Sequence, residues 1–127
     1  MSRTVVLRVG SAEQSRKELS DALATIGRGE PLVRVREIWF SSLGQLAATL
    51  TERRLELLRL IRRKRPKSVG DLARLAGRGT RAIETDLQAL ALAGLVKLVT
   101  TGKVKRPVAG YDRIHLAGDI TIARAAA

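Results

Sequence analysis

At 127 residues the chain suits one domain, or a small domain with an extension, and 45% apolar side chains suffice to bury a core. Its 24 basic and 12 acidic side chains leave a charge of +12, which favours polyanionic partners. With no cysteine, disulfides and thiolate metal sites are excluded, and no apolar run reaches membrane-spanning length.

The charge is unevenly placed. Residues 1–50 carry seven basic and five acidic side chains, whereas residues 51–127 carry 17 and seven, so the positive field belongs to the second part. Arginine outnumbers lysine by 18 to 6, and its planar guanidinium offers paired donors to phosphate and guanine. The opening Met1 to Arg8 has too short an apolar run for a signal peptide, so a soluble cytoplasmic protein is expected.

In chain order, Thr4 to Val9 is β-branched and apolar and predicts a strand closed by Gly10. Ser11 is placed to cap a helix in which Ala12, Leu19, Leu23 and Ile26 fall near one face. The stretch Gly27 to Pro31 ends it, and Leu32 to Phe40 alternates as a second strand with Val33 and Val35 on one side. Residues 1–40 thus read as a β-α-β extension, too small to fold alone, which must dock on the rest of the chain or on a second subunit.

From Ser41 the pattern is helical. Ser42 with Gln45 forms a capping box for a short helix, Leu43 to Leu50. Thr51 caps a stronger helix from Glu52 to about Lys64, with Leu55, Leu58 and Ile61 as its core stripe and Leu57 and Leu60 widening it. Pro66 stops that helix. Ser68 with Asp71 begins a two-turn helix whose Val69, Leu72, Ala73, Leu75 and Ala76 pack inward.

Gly77-Arg78-Gly79 is a tight turn, and Gly79 or Thr80 caps a last helix that buries Ile83, Leu87, Leu90 and Ala91 and stops at Gly94. Leu95 to Val99 and Val104 to Val108 predict a hairpin about Thr100 to Lys103. Tyr111 to Leu116, and a stretch at Ile120 to Ile122, predict further short strands. The fold class is α+β: a winged helix-turn-helix over residues 41–118, three helices and a β-hairpin wing, behind the 1–40 extension and before a tail at 119–127.

A helix-turn-helix presents its second helix to the major groove of duplex DNA. With Ile83, Leu87 and Leu90 turned inward, helical geometry turns Arg81, Glu84, Thr85 and Gln88 outward, with Thr80 at the entrance. Arg81 suits guanine, Gln88 adenine or a phosphate, and Thr85 a base edge or a thymine methyl. Glu84 is expected to pair locally with Arg81 or Arg78, and Asp86 to tie the helix to a neighbouring arginine.

Lys67, Ser68 and Arg78 lie where helix N-termini and the turn approach the sugar-phosphate backbone, and Lys103, Lys105 and Arg106 fall on the wing. The run Arg62 to Arg65 balances a helix dipole and reads first as a solvated helix end. Trp39-Phe40 reads as core before partner surface. His115 has no acidic or cysteine neighbour at ligand spacing, no glycine loop suits a phosphate, and the carboxylates form no acid-base pair. No cofactor, metal site or catalytic activity is therefore expected.

The stretches Leu50 to Leu58, Gly70 to Arg78, Asp86 to Leu90, Gly94-Leu95-Val96, Pro107 to Asp112 and the opening Val6 to Gly10 resemble a family of small prokaryotic winged-helix proteins related to MarR-type regulators. That family comprises DNA-binding proteins and antitoxins, often encoded beside a small toxin. It carries more basic or aromatic side chains between Thr80 and Asp86 than the Arg81-Ala82-Ile83-Glu84-Thr85 found here.

The resemblance implies a double-stranded DNA-binding regulator, a dimeric repressor that autoregulates its operon, with a co-encoded toxin as a further partner. The alternatives are an antitoxin acting chiefly by protein-protein neutralisation, and a sequence-neutral DNA-coating protein. The N-terminal segment, low in net charge, is the expected dimer contact.

Overall fold

The computed structural model describes residues 3–10, 12–27, 36–120 and 122–123. Its elements run β1 (Thr4–Val9), α1 (Ala12–Gly27), β2 (Arg36–Phe40), α2 (Leu43–Thr49), α3 (Glu52–Lys64), α4 (Val69–Ala76), α5 (Thr80–Leu92), β3 (Lys97–Thr101), β4 (Val104–Val108) and β5 (Arg113–Ala117). They divide into two compact units: residues 1–3 with 47–113, and residues 4–46 with 114–127. The expectations for Ser11, for the turn at 28–31, for Val33 and Val35 and for the last four residues lie outside the described residues.

In the second unit, β1 and β2 pair in parallel, from Val5 opposite Arg36 to Val9 opposite Phe40, and the N–H of Gly10 extends the pairing to the Phe40 carbonyl at 2.9 Å. Parallel strands need a long crossover, and α1 supplies it, so the β-α-β reading holds. The third strand of this sheet is β5, in the order β2-β1-β5. Strand β5 begins where the N–H groups of Asp112 and Arg113 donate to the Arg3 carbonyl, and ends with Gly118 beside the Val9 carbonyl. It therefore runs in the direction of β1.

Val5, Leu7 and Phe40, which share one face of the sheet by strand alternation, form the buried centre of the unit. Phe40 is core, whereas Trp39 stays half-buried, 5.8 Å beneath the Arg8 guanidinium, and donates to Glu37 Oε2 at 3.2 Å. Leu19 and Leu23, read near one face of α1, are 60% and 57% exposed.

The first unit is built on caps read directly from the sequence. The Thr51 hydroxyl accepts from the Arg54 N–H and starts α3. Leu57 and Ile61, one turn apart, are its most buried side chains, while Leu55 and Leu58 are only half-buried. Ile61 is buried as expected, and Leu57, expected only to widen the stripe, joins it at the centre because α3 faces both α4 and β4. At the far end Arg65 takes the left-handed conformation, φ 48, its N–H bonding back to the Ile61 carbonyl before Pro66 forbids another turn.

The Ser68 hydroxyl accepts from the Asp71 N–H and begins α4, whose Leu72 and Ala73 are buried. Leu75 is 42% exposed and not part of the inward face. In so short a helix Leu72, Ala73 and Ala76 take that face, and Leu75 falls at its margin. Helix α5 buries Ile83, Leu87 and Leu90 against it, each contributing about 1.5–3 kcal/mol of apolar transfer. Gly94, φ 86, closes α5: its N–H bonds to the Ala91 carbonyl and that of Leu95 to the Leu90 carbonyl, satisfying two orphan acceptors.

Strands β3 and β4 pair antiparallel from Lys97 opposite Val108 to Thr101 opposite Val104. The hairpin loop is only Gly102-Lys103, shorter than expected, since β-branched Thr100 and Thr101 continue the strand. Gly102 at φ 61 supplies the positive φ that a two-residue turn requires. Leu95 and Val96, expected in the strand, instead feed it as buried extended residues. Three helices, α3 to α5, followed by this hairpin make the unit a winged helix-turn-helix. The strand expected at Tyr111 to Leu116 exists as β5, paired with the N-terminal strands and not with the wing.

Candidate nucleic-acid interface

The turn between α4 and α5 follows from two glycines. Gly77, φ 66, ends α4 with its own N–H on the Arg74 carbonyl and that of Arg78 on the Ala73 carbonyl. Gly79 is the N-cap of α5 and has no side chain to cap with, so Thr80 is the first helical residue. From there Thr80, Arg81, Ala82, Glu84, Thr85 and Gln88 are all exposed, while Ile83, Asp86, Leu87 and Leu90 are buried. The helix has one largely polar, uncovered side about two turns long.

Thr85 donates its hydroxyl proton to the Arg81 carbonyl at 3.1 Å. That fixes the hydroxyl against the helix's own backbone on an exposed side chain. Glu84 makes no ion pair among the described residues, so the expected pairing with Arg81 or Arg78 is not formed.

Arg78 is engaged elsewhere. Its Nη1 lies 2.7 Å from Asp86 Oδ2, and both atoms are buried with no other partner. The approach is off the hydrogen-bond line, so charge attraction holds the two together. On the other oxygen, Oδ1, Asp86 accepts from Arg54 Nε at 3.1 Å, and Arg54 Nη1 donates to the carbonyls of Ala48 and Thr49 at 2.8 and 2.9 Å.

One carboxylate on α5 therefore joins the turn and α3, with side chains only 12–22% exposed. Burial works to raise the Asp86 carboxyl, but the facing Arg78 and Arg54 guanidiniums outweigh it and hold it below its ordinary value. The expected tie from Asp86 to an arginine is thus a tie to two, and Arg54 was not anticipated. Arg53 and Arg54 stand side by side in the first turn of a helix rich in surface charge, and nothing in the sequence singles out the second of them.

At the start of α4 the Asp71 N–H is satisfied by the Ser68 hydroxyl. Besides the Ser68 cap, Asp71 Oδ2 accepts from the Lys67 N–H at 3.1 Å, and Arg74 pairs with Oδ1. The Asp71 carboxyl is held low first by the Lys67 N–H and then, against burial, by Arg74. Ser68 is thereby a cap, while the Lys67 side chain remains exposed.

On the wing, Lys103, Lys105 and Arg106 are all exposed. Lys103 is at the tip. Lys105, opposite Thr100, shares a face with Leu98 and Pro107, whereas Arg106, opposite Val99, lies on the other face. The two cations flank the ribbon.

A second anchor was also missed. Asp112 accepts from the Arg3 N–H at 2.9 Å and from Arg62 Nε at 2.7 Å, and Arg62 Nη1 donates to the Ala109 carbonyl at 3.2 Å. The Arg3 N–H first, then Arg62, keep the Asp112 carboxyl low.

The unit of residues 1–3 and 47–113 holds 17 basic and six acidic side chains, a net +11, against seven and six, a net +1, for the other unit. A positive field of this size favours polyanionic partners. Among the described residues no group of three His, Cys, Asp or Glu could hold a metal ion, and no helix is long and apolar enough to cross a membrane.

Comparison with known proteins adds a family. The HVO_A0114 family model matches residues 49–116, more than half of the chain. No curated protein matches. Among solved structures the chain is similar to the homodimeric winged helix-turn-helix DNA-binding domain (fragment 1–100) of Mb0332 from Mycobacterium bovis, described as a possible ArsR-family transcriptional regulator. Identity is 23%, over 79% of this chain and 73% of that one, with a TM-score of 0.45. Such a likeness speaks neither to ligand nor to assembly.

Proposed function

We propose that this chain, which belongs to the HVO_A0114 family, is a cytoplasmic, sequence-specific regulator of transcription that binds double-stranded DNA as a homodimer. The observation that carries this reading is the uncovered polar side of α5, fixed by Asp86 within a unit of charge +11. Arg81 near the N-terminal turn reads guanine through its forked donors, Thr85 offers a methyl to thymine, and Gln88 bonds adenine or a phosphate. Thr80, Lys67 and Ser68 set the helix against the backbone, and Lys103, Lys105 and Arg106 straddle it from the wing. Arg78 supports the turn through Asp86 instead of reaching outward.

One winged helix covers too few base pairs for tight specificity, and two related half-sites multiply it. The near-neutral second unit is the contact proposed between subunits, because it brings copies together without opposing their +11 fields. Seated over a promoter, such a dimer blocks transcription, so repression, including that of its own operon, is the proposed mode. Gel-shift titration against the DNA upstream of its own gene, with unrelated duplex as competitor, tests the reading. Retention of the upstream duplex under excess competitor is expected. Equal affinity for both would replace it with sequence-neutral coating.

A second reading is favoured by Leu19, Leu23 and Leu116, which are 57–62% exposed on the second unit. They suit an antitoxin that covers a small co-encoded toxin. Co-purification with the product of the neighbouring gene is its test.

A further inference from the structure

A cleft of about 210 Å³ opens in the first unit between the end of α3 and strand β4. Its floor is apolar, made of Ile61, Pro66 and Pro107, all buried. Its rim carries three arginines, Arg62, Arg65 and Arg106. Only Arg62 is neutralised, by Asp112 at 2.6 Å. Arg65 and Arg106 are exposed and make no ion pair among the described residues.

The backbone of Arg65 is fixed by its left-handed turn between α3 and Pro66, so its side chain leaves from a defined point. The carbonyl end of α3 opposes an anion with about half a charge, but Arg62, Arg63 and Lys64 occupy the last turn and offset it.

We propose that this cleft binds a small phosphomonoester, as a regulatory site separate from the α5 face. The charge argues for the class. Two unpaired guanidiniums present two positive charges and more donors than one carboxylate can accept, and a phosphate dianion matches both. The size argues for a small molecule, since the space is below that of a drug-sized pocket and a duplex, being convex, cannot fill it. The proline and isoleucine floor takes the organic part and is of no use to a bare anion.

The site has a direct consequence for the wing, and that consequence rests on the DNA-binding reading. Arg106 belongs to β4, one residue from buried Pro107, and a ligand that holds it withdraws a cation from the nucleic-acid face. Ligand and duplex therefore oppose each other.

The test titrates phenyl phosphate, inorganic phosphate and benzoate into the full chain without DNA, followed by amide chemical shifts. Phenyl phosphate is expected to saturate with Kd on the order of 1 mM or tighter, shifting residues 61–66 and 106–109, with inorganic phosphate and benzoate each weaker by tenfold or more. R65Q and R106Q, both at exposed positions, should each weaken phenyl phosphate at least tenfold with an unchanged circular-dichroism spectrum. Unchanged affinity in both variants, or shifts confined to other segments, overturns the site.

A second arm measures a duplex with and without saturating phenyl phosphate. Weaker duplex binding is expected. If phenyl phosphate does not bind the free chain but R65Q lowers duplex affinity and its salt dependence, the cleft holds a nucleic-acid phosphate and the proposal fails. If the chain ignores duplex altogether, the DNA-binding reading fails, and the first arm still decides the cleft.

Discussion

Replacing Asp86 by asparagine keeps the shape of the side chain and removes the charge that Arg54 and Arg78 share. The hydrogen bond from Arg54 Nε loses its charged acceptor, an interaction worth about 1.5–3 kcal/mol net, and the ion pair with Arg78 is lost beside it. Two guanidiniums, 16% and 22% exposed on their side chains, are then left facing each other with little water. Partial access to solvent lowers the penalty below that of a wholly buried pair, which is about 3–5 kcal/mol when one partner is removed.

The expected loss for Asp86→Asn is about 2–4 kcal/mol, a large part of the roughly 5–15 kcal/mol a domain possesses. Urea unfolding followed by circular dichroism measures it as a lower midpoint at constant slope. Replacing all three residues by leucine or methionine should recover most of the loss, since apolar packing often equals a buried ion pair. A loss under about 0.5 kcal/mol, at a site the arginines still occupy, would refute the argument that this carboxylate joins the turn to α3.

Arg81→Ala is expected to weaken binding to a specific site by about 1–3 kcal/mol and to relax preference at one base pair, read by competition with single-substituted duplexes. Lys103→Ala should weaken all duplexes alike and lower the salt slope by about one, read from affinity against salt concentration. Gly77→Ala has open space for the methyl but forces alanine to φ 66, and thermal unfolding should show a loss of about 1 kcal/mol.

Acid titration follows from Asp71, Asp86 and Asp112, whose carboxyls all lie below the ordinary 3.8. A depressed folded value gives stability that is present above the unfolded value and lost as pH falls through the folded one. Unfolding midpoints should therefore be flat above about pH 5 and fall steeply below about pH 4, less steeply in Asp86→Asn.

The local stops and starts were legible because each is a chemical event within four residues. Thr51, Ser68 and Gly94 cap or close their helices as read, and the outward set on α5 followed from the inward spacing of Ile83, Leu87 and Leu90. What failed were quantities fixed by distant partners. The buried edge of α3 is chosen by α4 and β4, so Leu57 displaces Leu58. Arg54 and Asp86 are 32 positions apart, and Arg62 and Asp112 are 50 apart, so neither pairing leaves a trace in local pattern. Strand β5 has the composition of any short strand, and nothing in it names β1 as its neighbour.

That pairing carries a consequence for synthesis. The Arg3 N–H waits for Asp112, 109 positions later, so the three-stranded sheet cannot be finished until β5 has followed β1 by more than a hundred positions. Helices α3 to α5 and the wing depend on nearer neighbours and are available earlier. A nascent chain would hold formed helices while the flank of β1 is still open to any extended strand that passes.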